Sequence, residues 1–222
     1  MRDYLSTSNL GKALLLSALC TLASMPRIIQ GGFSLWFYIP ASFVSLTLIG
    51  GAATAWGKCA GMVGFWPDRR KQFRGATLAI LAALALWPVA LKFDPIVRAA
   101  FAAGDDSRAL LLQYPDSPTG VASLILWAVG FELLFFIVAS AAFFGRLSGR
   151  MWLAVVGPAL VRVLIAHYQL TAGNITDNVP LILFAAGAMT GASCLLFPNF
   201  GIVSTILFVA VLDARLFFMM RG

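Results

Sequence analysis

The sequence predicts an all-α, polytopic transmembrane bundle, and three observations carry that prediction. First, hydrophobic residues make up 60% of the chain and charged residues 11%, with mean hydropathy +0.89. A soluble domain has roughly 45–50% apolar and about 25% charged residues, so no aqueous fold could bury this much apolar surface. Second, apolar runs long enough to cross a ~30 Å hydrocarbon core recur along the whole chain. Third, most basic residues fall in short segments between those runs. The 222 residues suffice for a single integral membrane domain, residues 1–222, with short connections. About seven spans are expected. A marginal first span keeps six or eight crossings compatible with the pattern.

The first span, about Ala13 to Ile29, follows Lys12 and carries Pro26 and Arg27 near its far end. It superficially resembles a signal peptide, but a second long span follows almost at once, so an uncleaved helix is expected. Span two, about Phe33 to Trp56, has Trp36, Phe37 and Tyr38 at one end and Trp56 at the other, as an interfacial aromatic belt requires. Lys58, Arg69, Arg70, Lys71 and Arg74 then form the densest basic run, with a single acid, Asp68. Lys and Arg concentrate on the cytoplasmic side of membrane proteins, so this is read as a topogenic loop and the N-terminus as cytoplasmic.

Span three is expected from Ala76 to Leu91, with Pro88 bending or ending it, because proline lacks the amide donor of a helix interior. Residues Lys92 to Gly120 read as an outer-surface segment that includes Asp94, Asp105 and Asp106. It should hold two short amphipathic helices, Pro95 to Ala103 and Ser107 to Gln113, broken at Gly104 and followed by the turn chemistry of YPDSPTG. Span four, Val121 to Phe144, is the longest apolar run, and Glu132 lies near its middle. After Arg146 and Arg150 comes span five, Trp152 to Leu170, carrying Arg162 and His167, the only histidine. Span six, Leu181 to Phe197, is rich in Ala and Gly, which lets neighbouring backbones approach closely. A Pro198-Asn199 turn leads to span seven, Ile202 to Met220, with Asp213 and Arg215 inside it.

Net charge is +7, yet the basic residues sit between apolar spans without aromatic interleaving, so they suit anionic lipid and not nucleic acid. Expected partners are membrane lipids and a membrane-protein partner or larger membrane complex. Cys20, Cys59 and Cys194 form no CxxC pair and are expected as free thiols. With one histidine and no HExxH, neither a metal site nor a cofactor is expected.

An ionised group at bilayer depth costs roughly 2.5–3.5 kcal/mol or more, so Glu132 must be paired, protonated or set in a polar cavity. One reading is structural: Glu132 pairs with Arg162 and fixes helix register. The other is catalytic: Glu132 and His167, with Asp213 nearby, activate a water. Arg162 and His167 are five residues apart, about 140° around a helix, so both cannot point squarely at one partner. A small transporter or a proton path through Glu132, His167 and Asp213 is a third reading, without a repeated half to support it.

The order of FWPDRRKQFRG, FELLFF, VLIAH and FVAVLD, over residues 60 to 215, resembles the CAAX-protease and bacteriocin-processing (CPBP) family of intramembrane proteases. The resemblance implies a bundle of about eight helices with motifs EExxxR, FxxxH and Hxxx(N/D). Their glutamate, histidines and Asn or Asp would activate water and position the oxyanion. In this chain the pattern is half kept. Glu132, His167 and Asp213 match, whereas Phe131, Phe136, Val163 and Val209 stand where the family has Glu, Arg, Phe and His. The resemblance therefore implies the fold without the protease chemistry, in a protein of the bacterial inner membrane that acts as an accessory subunit.

Overall fold

A computed structural model describes residues 7–32, 34–59, 61–62, 67–104 and 107–220, without the side chains of 7–9, 58–59 and 107–109. The readings placed on Asp105, Asp106 and the side chains of Lys58 and Cys59 lie outside it. Among the described residues every regular element is helical, and seven helices are long and apolar enough to cross a membrane. It is an all-α polytopic bundle and a multi-pass membrane protein.

Helix α1 runs over Thr7–Gln30 and is a full span despite Pro26. Helix α2, Leu35–Cys59, packs back along it, and Gly50 lies against Ala13 and Leu16. At the start of α2 Trp36 is 92% exposed, as an interfacial ring should be. Asp68 caps helix α3 by accepting from the Lys71 amide at 2.9 Å, so the basic residues Arg69, Arg70, Lys71 and Arg74 occupy its first turns with exposed side chains.

The expectation for α3 needs correction. Pro88 does not end it, and Pro95 to Ala103 is not a separate helix; α3 is continuous over Arg69–Ala103 and ends at Gly104. Freed carbonyls in membrane helices are satisfied by neighbouring groups, which removes much of the penalty that proline carries in water. Its 35 residues span about 52 Å, longer than the ~30 Å hydrocarbon core, so its far third approaches the interface. Asp94 is consequently a buried helix residue, not a loop residue. The short helix α4, Ser107–Gln113, follows as expected.

The central span is longer than its apolar run. It begins at Pro118, where Ser117 accepts from the Gly120 amide, and ends at Ser148, before Gly149 at φ 64°. It comprises α5 (Pro118–Trp127), a π-helical segment (Ala128–Ala139) and α6 (Ser140–Ser148). Half of its most apolar window is buried, against a third or less for every other span, so it is the hub of the bundle. Leu133, Leu134 and Val138 form its core with Leu46, Ala154, Cys194 and Phe197.

Helix α7, Leu153–Ala172, pairs with α8, Val179–Phe200, through the expected small residues. A Cβ on Gly187 would meet Val163 at 2.9 Å. The chain reverses after α8 at Gly201, φ 82°, and not at Pro198-Asn199, which remain helical; only glycine enters that conformation freely. Helix α9, Ile202–Asp213, and the single turn α10, Leu216–Met219, complete the seventh span.

Helices α3 and α9 run parallel. Gly75 meets Ser204 and Phe200 at one end, Ala79 and Ala83 pack on Phe208 and Leu212 in the middle, and the Trp87 indole donates to the Val211 carbonyl at 2.9 Å. Alternation of the seven spans puts Lys12, Arg69, Arg70, Lys71, Arg74, Arg146 and Arg150 at one end of the bundle.

Candidate functional site

Glu132 is presented by the π-helical segment. Hydrogen bonding to i+5 widens a helix, and such segments are rare and concentrate at functional positions. Gly130 lets α1 approach this segment closely: a Cβ there would lie 3.0 Å from the Cys20 carbonyl and from Ala23. On another side, Trp127, Phe131 and Phe135 stack in succession, with ring centroids 4.6 and 5.8 Å apart.

Arg162 on α7 reaches Glu132, with Nη2 3.7 Å from Oε2. The guanidinium also lies over the Phe136 ring, 4.9 Å from its centroid. Phe136 thus forms part of the seat of the guanidinium that α7 supplies. The ion pair is loose and partly open, with the Glu132 side chain 33% exposed. Glu132 also lies within electrostatic reach of Arg27 on α1 and Asp213 on α9. Arg27 itself donates to the Leu112 carbonyl at the end of α4.

His167 is exposed, and its imidazole makes no hydrogen bond or ion pair to any described residue. Its separation around α7 from Arg162 accounts for this, since the helix face that brings Arg162 to Glu132 turns His167 away. Phe131 and Val209 pack against one apolar cluster. Asp213 lies on another contact, bonded to Arg215 at 3.3 Å.

Arg215 forms the tightest polar site in the described bundle. Its Nε donates to Asp94 Oδ2 at 2.7 Å and its Nη2 to Asp94 Oδ1 at 3.0 Å, a bidentate pair. Its Nη1 serves the Leu212 carbonyl at 2.8 Å as well as Asp213. Tyr114 donates its hydroxyl to Asp94 Oδ1 at 3.3 Å. Burial, and then the Asp94 charge, push the Tyr114 phenol above its usual pKa. A cavity of about 290 Å³, lined in part by Tyr114, Arg98, Asp116 and Leu216, opens beside this network.

Sequence reasoning noted Arg215 within its span but missed its partner, because two prolines and Lys92 made Asp94 look extramembrane. The signal lay in the apolar residues on both sides, WPVALKF and IVRAAFAA, which continue the helix past Asp94. Cys20 and Cys194 are free and buried. Among the described residues no group of three metal-ligating side chains converges. Comparison with known proteins finds no matching family model, no matching curated protein and no matching solved structure.

Proposed function

We propose that this chain is a CPBP-like membrane protein without protease activity, acting by binding or assembling partners within the bilayer. The observation that carries the reading is the pairing of its intramembrane carboxylates. Glu132, Asp94 and Asp213 each lie against a guanidinium, while the lone imidazole faces away from Glu132. A general base needs a carboxylate or imidazole free to take a proton from a positioned water. Phe131 and Val209 add no such group, and an apolar wall suits a helix or a lipid better than a developing oxyanion. In this reading the chain resides in the bacterial inner membrane, with the Arg69 to Arg74 end and the N-terminus in the cytoplasm.

The test is incubation of the purified protein with prenylated CAAX peptides and leader-peptide substrates, beside Glu132→Ala and His167→Ala. No cleavage, together with stoichiometric co-purification of a membrane partner, is expected. Cleavage by the parent that both variants lose would overturn the reading in favour of a hydrolase using Glu132 and His167. Orientation is checked separately by placing a cysteine at Arg70 in a cysteine-free background, where an impermeant thiol reagent should not label intact cells.

A further inference from the structure

A second feature lies away from the charged groups. A cavity of about 250 Å³ is bounded by α1, the π-helical segment and α9, with Thr54 of α2 at its back. Leu19, Gly130, Leu133 and Ile206 are among its walls, and Lys12 is its one charged lining residue. Thr54 donates its hydroxyl to the Gly51 carbonyl at 2.8 Å, so it places no polar demand on an occupant. Leu15 and Leu19, exposed by 65% and 57%, leave the cavity open sideways to the hydrocarbon.

We propose that this groove holds one acyl chain of an anionic phospholipid, with the headgroup phosphate on the Lys12 ammonium. The depth of the groove fits this occupant. The α1 wall runs from Lys12 to Ala23, eleven helical steps or about 16 Å, which is half of a ~30 Å hydrocarbon core and so the depth of one leaflet. Charge selects the headgroup. Lys12 stands at the end of the bundle that also carries Arg69, Arg70, Lys71, Arg74, Arg146 and Arg150, and a Lys near the surface contributes about 1 kcal/mol of attraction to anionic lipid. The inference stands apart from the non-catalytic reading, since neither Glu132 nor His167 lines the groove.

The full chain in nanodiscs of equal phosphatidylglycerol and phosphatidylcholine, with matched acyl chains, is released into a mass spectrometer and the retained lipid is weighed. One phospholipid per chain is expected, with phosphatidylglycerol preferred. Lys12→Gln should lower the ratio of the two lipids about fivefold, whereas Lys71→Gln, the same charge change outside the groove, should change it less than twofold. Leu19→Trp, which fills the groove, should abolish retention of both lipids with the helical circular dichroism unchanged. An unchanged ratio in Lys12→Gln, an equal fall in both lysine variants, or a second copy of the chain retained in place of lipid would each overturn the proposal. The lysine arm decides the question even if the Trp variant does not fold, because Lys12 is exposed.

Discussion

The α3–α9 seam and the junction between the π-helical segment and α7 both use an acid and an arginine, yet they are built differently. At the seam Arg215 grips Asp94 with two hydrogen bonds of 2.7 and 3.0 Å, and Asp213, Tyr114 and the Leu212 carbonyl take up remaining capacity. At the junction a single 3.7 Å approach joins Glu132 to Arg162, with a third of the carboxylate side chain exposed. The difference separates a fastener from a contact that can be exchanged. A bidentate, buried pair fixes two helices in one register, whereas a loose pair beside an aromatic ring tolerates rearrangement.

The largest test of that contrast is Arg215→Ala. Removing one partner of a buried pair leaves uncompensated carboxylates at Asp94 and Asp213, and a loss of about 3–5 kcal/mol is expected in reversible unfolding in mixed micelles. Gly75→Ala attacks the same seam sterically. Its Cβ would lie 2.3 Å from Ser204 Oγ and 2.4 Å from Phe200 Cβ, so a loss of about 1–3 kcal/mol should follow in the same assay. Trp87→Phe removes the indole donor to Val211 and should cost about 1 kcal/mol. Glu132→Gln should cost less than Arg215→Ala, because it removes a single 3.7 Å approach and not a buried bidentate pair. If Glu132→Gln destabilises as much as Arg215→Ala, the contrast fails.

The smallest effect is spectroscopic. Tyr114 keeps its proton more firmly in the folded state than a free phenol, whose pKa is about 10. Its stabilising contribution is therefore complete below about pH 10 and is lost as pH rises through the higher folded value. Ultraviolet titration should show a late-ionising phenol phase, and Tyr114→Phe should remove that phase.

The spans were legible because length and hydropathy answer directly to bilayer thickness, and the runs around Leu46, Leu133 and Phe208 leave no alternative. What escaped depends on three dimensions. Nothing local in AVGFELLFFIVA announces a π-helix, since its apolar residues satisfy either hydrogen-bond pattern. The continuity of α3 through Pro88 and Pro95 rests on neighbouring helices that no local window contains. At the site, the scarcity of polar groups made a Glu132–Arg162 contact foreseeable, and the spacing on α7 said that Arg162 and His167 could not both point squarely at Glu132, without saying which of them would. Asp213 was grouped with Glu132 because both are rare intramembrane acids. Its bond to Arg215, two residues away, is a shorter-range interaction that the search for long-range partners passed over.

The Asp94–Arg215 pair also has a consequence in time. Its members are separated by 121 positions, so at about 5–20 residues per second Asp94 is synthesised roughly 6–24 s before Arg215. Throughout that interval Asp94 lacks the Arg215 guanidinium, and the far end of α3 has no partner that fixes its position. Its final register is therefore set late, by the arrival of α9, and the order of synthesis leaves the seam the slowest part of the bundle to close.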